Sequence, residues 1–236
     1  RGKMKIVELK HVSRYYKAGQ QKNYALKKVS FDIEEGEFVV ILGASGAGKS
    51  TMLNLLGGID RADEGEILVA GEDIAKLSEK ELSKYRAKRV GFVFQFYNLI
   101  PTLTVKENVE LMRELKKYAL EAGEALRKVG LSGHEKKFPE QLSGGEQQRV
   151  SIARAIAKNP DILLCDEPTG ALDSETGCMV LSELQKLCRS EGKTVLVVTH
   201  NANIARAADR VIHIRSGEIK SIECCDDPCS VEEVEW

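Results

Sequence analysis

Gly43-Ala44-Ser45-Gly46-Ala47-Gly48-Lys49-Ser50, with Thr51 next, has the spacing G-x-x-x-x-G-K-[ST]. Such a loop is suited to holding phosphate. Glycines let the backbone curl until several N–H groups point inward at phosphate oxygens. A helix opening at the end of the loop adds the partial positive charge of its N-terminus. Lys49 can reach the outer phosphates, and the Ser50 hydroxyl can ligate Mg²⁺. A second stretch, Ile162-Leu163-Leu164-Cys165-Asp166-Glu167, ends an apolar run in two carboxylates. Alone, it would read as a solvated strand end. Beside a phosphate loop, Asp166 is expected to hold the metal through water next to Ser50. Glu167 is then expected nearer the terminal phosphate, placed to orient and polarise an attacking water.

Leu142-Ser143-Gly144-Gly145-Glu146-Gln147-Gln148-Arg149 precedes a helix expected near residue 146, whose apolar face includes Val150, Ala153, Ile156 and Ala157. Ser-Gly-Gly at a helix start is another anion cradle, with exposed N–H groups, a hydroxyl and a dipole. One nucleotide has no evident use for two cradles. The second makes sense if it serves a nucleotide held by another copy of the chain.

The elements that must position these residues alternate along the chain. Residues 5–10 and 28–33 read as short alternating strands, and Phe38–Leu42 as a strand buried on both faces. Val90–Phe94, Ile162–Cys165, Val195–Val198 and Val211–Ile214 are similar runs. Helical stretches fall at about 49–57, 146–158 and 175–190. The pattern predicts an α/β chain with a mostly parallel central sheet. From about 98 to 158 the alternation stops, while Val105, Val109, Met112 and Leu115, then Leu126 and Val129, recur at helical spacing. This predicts a helical lobe inserted into the sheet domain, the alternative being one long crossover connection. The domain is expected over 4–223, and the acidic stretch 224–236 is expected to be a poorly ordered tail.

Length and composition bound the function. A chain of 236 residues fits one large domain, or a core with a lobe. A formal net charge of −1 argues against coating nucleic acid or an acidic membrane surface. The longest apolar runs are far shorter than a membrane span. Arg1-Gly2-Lys3-Met4 has no apolar signal region and reads as a cloning remnant before a native Met4. The six cysteines show no Cys-x-x-Cys pair, which favours reduced thiols in the cytosol. Cys224, Cys225 and Cys229 read as part of a loose end rather than a metal or lipid site.

On these motifs the sequence resembles the ATP-binding subunits of ABC transporters over nearly its whole length. Gly43–Ser50 looks like the Walker A loop of a P-loop NTPase, Leu142–Gln147 like the ABC signature, and Ile162–Asp166 like Walker B with Glu167 as the catalytic carboxylate. Gly170-Ala171-Leu172-Asp173 looks like the D-loop, His200 like the switch histidine, and Gln95 like the Q-loop glutamine that meets Mg²⁺ and the water. Tyr16, with Tyr15 adjacent, resembles the A-loop aromatic that stacks on adenine, and the alignment around Val12-Ser13-Arg14 favours Tyr16. The resemblance implies a small N-terminal antiparallel β-subdomain beside the P-loop core. It also implies a head-to-tail homodimer, with ATP and Mg²⁺ between Lys49 of one copy and Ser143, Gly144, Gly145 and Glu146 of the other. Glu146 stands where many signatures have Gln, a tolerated variant.

Phe96 to Thr104 is rich in large apolar residues for an exposed connection, which suggests a binding groove, with packing inside the lobe as the alternative. In the family this region receives the membrane subunit. The string, Asn54–Asp60 and Pro168–Asp173 look like the branch of lipoprotein-release and macrolide-exporter ATPases. That branch implies an integral-membrane permease with a large extracytoplasmic domain, no nucleic acid, and a place on the inner face of the cell membrane. The stretch from Glu110 to Lys128 is short for this branch. A chromosome-organising or DNA-repair ATPase would insert a long coiled coil between Lys49 and Leu142, and this interval lacks sustained heptads. A small-molecule kinase would not need Leu142–Gln147. A regulatory complex, in which turnover reshapes a partner rather than moving cargo, remains the alternative.

Overall fold

An uninterrupted apolar pentapeptide has no polar face to give to water, so it belongs inside a sheet covered on both sides. In the computed structural model, which describes residues 4–19, 21–112 and 120–235, Phe38–Leu42 forms such a strand, β3, with every residue buried. It pairs in parallel with β8 (Thr194–Thr199) on one side and β9 (Arg210–Arg215) on the other. Beyond β8 lie β7 (Ile162–Asp166) and β6 (Val90–Val93), also parallel. β10 (Glu218–Cys224) closes the β9 edge antiparallel. Side chains alternate faces along a strand. Phe38, Val40 and Leu42 enter one core, and Val39 and Ile41 enter the other.

The second core lies under a four-stranded antiparallel sheet, β2-β1-β4-β5, built from β1 (Lys5–Ala18), β2 (Gln21–Glu34), β4 (Glu64–Val69) and β5 (Glu72–Asp73). The strands expected at 5–10 and 28–33 are only the inner parts of β1 and β2. Val12, Leu26 and Val29 are still core residues, but beyond Arg14 on β1 and before Leu26 on β2 the hairpin rises as a ribbon whose side chains are half-buried or exposed, so apolar alternation fades there. Cross-strand contacts support the ribbon instead. Tyr15 meets Tyr24 edge-on at 5.4 Å, and Lys22 Nζ lies 4.0 Å from the Tyr15 ring centre.

α1 (Lys49–Leu56) follows the phosphate loop, and α2 (Glu79–Arg89) leads into β6. Between β6 and β7 come α3 (Val105–Glu110), α4 (Ala122–Lys128) and α5 (Gly144–Ala157), with no strand among the described residues. Val105, Val109, Leu126 and Val129 are fully buried, and Met112 packs on the same core from a turn after α3. Leu115 lies outside the described residues. Asn108 pins the preceding connection: its amide donates to the carbonyls of Ile100, Leu103 and Thr104, and its oxygen accepts from the Ile100 N–H.

The end of the chain differs from the loose tail expected over 224–236. Val231 and Val234 are buried against α6 (Ser174–Glu191) and the short helical turn Ala202–Ala207. Two valines spaced by three in an acidic stretch supply an apolar edge, and the buried Gln185 of α6 satisfies the backbone that comes with it. Its amide donates to Ala207 O at 3.1 Å and Cys229 O at 3.0 Å, and its oxygen accepts from Val231 N at 3.1 Å.

Candidate functional site

In an open parallel sheet, the crevice lies beyond the carboxyl ends of the strands. Four adjacent strands, β3, β8, β7 and β6, deliver Gly43, His200, Glu167 and, one residue further on, Gln95 to that edge. There a cleft of about 510 Å³ is lined by Lys49, Ser50, Thr51, Gln95, Asp166, Glu167 and His200, with Ser45, Gly46 and Gly48 of the loop. Ala25 of β2 completes it. Its carbonyl presses on Gly48, where any β-carbon would collide with it and where φ is +105°. Only glycine satisfies both conditions.

Lys49 is buried at the loop's centre. Its ammonium donates to Gly43 O at 2.7 Å and Ala44 O at 3.1 Å, and lies 3.8 Å from Glu167 Oε1. The Ser50 hydroxyl donates to Asp166 Oδ1 at 3.2 Å. Burial pushes the Asp166 carboxyl above its ordinary pKa, opposed by the Ser50 hydrogen bond, reinforced by the Glu167 charge and opposed again by Lys49. A hydroxyl and a carboxylate in hydrogen-bond contact, with the Gln95 amide on the same cleft, form a set of hard oxygen donors that fits Mg²⁺. Among the described residues no three His, Cys, Asp or Glu side chains gather as an all-protein metal site. Such an ion would complete its shell from water and phosphate.

Glu167 has φ +45°, a left-handed conformation that turns its side chain aside from the line of β7. Its N–H donates to Val198 O at 2.9 Å and its carbonyl accepts from Gly170 N at 3.0 Å, which holds that turn. His200 Nδ1 lies 3.1 Å from both Glu167 oxygens. A β-carbon at Gly170 would stand 2.7 Å from Gln95 Nε2, so the glycine makes room for that amide. Behind Glu167 and His200, a smaller hollow of about 230 Å³ reaches Asp173. Asp173 caps α6, accepting from Thr176 N at 3.0 Å and Thr176 Oγ1 at 2.7 Å, and these bonds hold its pKa low.

Ser143, Gly144, Gly145 and Glu146 do not line this cleft. They form the first turn of α5, where Ser143 Oγ accepts from Glu146 N at 3.3 Å and Glu146 accepts from Ser143 N at 2.8 Å. His134 Nε2 lies 3.0 Å from the other Glu146 oxygen. Gly145 packs so closely on α6 that a β-carbon there would collide with the Thr176 methyl. Tyr16 also lies outside the cleft lining, paired with Asn23 two residues before Ala25, and its ring is more than half exposed.

Sequence reasoning missed the ties that hold the segment after β6. Gln148, fully buried on α5, donates to Phe94 O at 3.1 Å. Arg154 on the same helix donates to Tyr97 O at 2.9 Å and Asn98 O at 2.5 Å. Tyr97 and Asn98 both have positive φ. The available signal was a glutamine interrupting the apolar face of α5.

Comparison with known proteins is consistent with this geometry. Residues 26–170 match the family described as ABC transporter. The chain is 49% identical over 227 residues to the uncharacterized ABC transporter ATP-binding protein MJ0796 of Methanocaldococcus jannaschii, covering 92% of this chain and 97% of that protein. It is 48% identical over 219 residues to the macrolide export ATP-binding/permease protein MacB of Shigella flexneri, covering 91% of this chain but only 34% of MacB. Among solved structures, the dimeric post-hydrolysis state of the MJ0796 cassette bound to ADP and Pi superposes with a TM-score of 0.84 at 47% identity, covering 92% of this chain and 98% of that one. CbiO1 of Clostridium perfringens, part of the ABC transporter complex cbiONQ, gives 0.84 at 27% identity over 93% of this chain and 88% of its own.

Proposed function

The chain belongs to the ABC transporter family, and on that premise we propose that it binds ATP between two copies of itself, hydrolyses it, and drives an integral-membrane permease. It is the ATPase subunit of such a system. The observation that carries the reading is the position of Glu167, between His200 and Lys49 on the cleft wall. A carboxylate so placed can accept a proton from water attacking the terminal phosphate while His200 fixes its orientation. Lys49 and the N–H groups of Gly46 to Lys49 neutralise charge building on that phosphate. When bound, Mg²⁺ would be held by Ser50, Asp166 and Gln95 and would supply Lewis-acid polarisation of the phosphate oxygens.

The same cleft is lined without Ser143–Glu146. Ser143–Glu146 lie elsewhere on the molecule, so one copy carries two half-sites. Pairing head to tail puts the α5 N-terminus of one copy over the nucleotide of the other; that the MJ0796 cassette bound to ADP and Pi is dimeric supports pairing of copies. Asp173 then faces the junction from behind Glu167. Release of phosphate removes the bridge and lets the copies part.

The ATP-binding/permease name of MacB supports a permease partner, seated on the exposed Phe96 and Ile100 of the connection after Gln95. We place the subunit on the inner face of the cell membrane through that partner, whose large extracytoplasmic domain is expected from the branch. No described helix is long and apolar enough to cross a membrane by itself. The test of the dimer is turnover per molecule against concentration. It should fall on dilution as pairs dissociate, and a turnover independent of dilution would overturn the shared site.

A further inference from the structure

We infer that Arg14 is a positioning residue for the nucleotide base: it stacks on one face of Tyr16 while Asp60 and Asp63 anchor it to the loop that ends the phosphate-loop helix. This rests on the reading that Tyr16 takes the base. The Arg14 guanidinium carbon lies 4.8 Å from the Tyr16 ring centre. Its Nε donates to Asp60 at 2.8 Å and its Nη1 to Asp63 at 3.1 Å. Asp63 also accepts from the Tyr15 N–H at 2.9 Å, and the Asp63 N–H donates to Ser13 O at 2.9 Å. Four contacts thus hold residues 13–15 of the ribbon against residues 60–63. Those residues in turn continue α1, since the Asp60 N–H donates to Asn54 O at 3.2 Å.

The consequence is geometric. α1 begins at Lys49, so the tie sets the distance between the ring and the phosphate loop. A solitary tyrosine on an exposed two-stranded ribbon would sample many ring positions, and ordering it would weaken binding. A planar cation fixed by two carboxylates takes one ring face and leaves the other for a flat ligand. Tyr15 is unsuited to that task because Lys22 and Tyr24 already cover its ring.

The test uses the full chain and two probes, ATP and inorganic tripolyphosphate, which has no base. Calorimetry measures binding of each to the parent chain, Arg14→Leu, Tyr16→Ala and the double variant. Arg14→Leu should weaken ATP binding about tenfold, leave tripolyphosphate binding unchanged, and add nothing once Tyr16 is replaced. Asp60→Ala with Asp63→Ala keeps Arg14 but cuts its anchors. It should show the same selective loss, and it stands in where Arg14→Leu fails to fold. Equal weakening of both probes, or an Arg14 effect that persists beside Tyr16→Ala, would make Arg14 a structural brace and overturn the inference, while a loss of ATP binding in Tyr16→Ala keeps the Tyr16 reading. If Tyr16→Ala binds ATP as the parent does, the Tyr16 reading itself fails and takes the inference with it.

Discussion

The imidazole of His200 holds Nδ1 at equal distance, 3.1 Å, from both carboxylate oxygens of Glu167. The histidine side chain is largely exposed whereas the glutamate is not, so the pair joins a solvent-facing imidazole to a sheltered carboxylate. Glu167 also stands 3.8 Å from Lys49. Its carboxylate is therefore fixed from two sides, which favours a group that must meet one water in one place.

Glu167→Gln keeps the shape and removes the base. Turnover should fall by about 10²–10⁴, the usual range for general-base removal, while ATP binding remains. The variant should accumulate as a dimer with ATP in size-exclusion chromatography. Normal turnover would remove Glu167 from the mechanism.

Lys49→Ala should lose ATP affinity by about 10–100-fold, the worth of a charge-assisted phosphate contact. The loop itself also loses a tie, because the ammonium binds the Gly43 and Ala44 carbonyls. Calorimetry that finds unchanged affinity would count against the phosphate-loop assignment.

Ser143→Arg should abolish turnover while each single copy still binds ATP, since Ser143 does not line its own chain's cleft. Ser143 also caps α5, so the change carries a stability cost of about 1 kcal/mol. Ser143→Ala has the same capping loss without the bulk and serves as the control. Surviving activity in the arginine variant would refute the site shared between copies.

Much of this arrangement can be read from residue types, and the exceptions have physical reasons. β3, β7 and β8 are buried on both faces, so their apolar runs stand out. The strand ends carry Gly43, Asp166, Glu167 and His200, and a parallel sheet gathers strand ends by construction. α2 escaped notice because only Leu82 and Tyr85 are buried on it. The outer half of the β1–β2 hairpin lacks apolar alternation because rings, cations and the carboxylates of Asp60 and Asp63 hold it rather than a core face. Gln148 interrupts the apolar face of α5 and so marks a buried polar contact, but backbone carbonyls have no sequence signature, so the partners of Gln148 and Arg154 at Phe94, Tyr97 and Asn98 are not legible. The final turn was masked by its charge: five acidic residues surround two valines that make the contact.

That final turn carries the last prediction. Gln185 joins α6, the Ala202–Ala207 turn after His200, and the chain end, using its amide protons and its oxygen. Gln185→Leu is close in size but leaves the Val231 N–H and two carbonyls without that partner. Loss of buried hydrogen bonds should destabilise the fold by about 2–3 kcal/mol, and lower Tm by roughly 5–10 °C. Removing the chain end after Asp226 exposes the Val231 seat on α6 and should cost a comparable amount, but little beyond that in the Gln185→Leu background, because both changes break the same joint. Thermal unfolding of the two single changes and their combination checks this. Fully additive shifts in Tm would show that Gln185 and the chain end act separately, and the joint would then lie elsewhere.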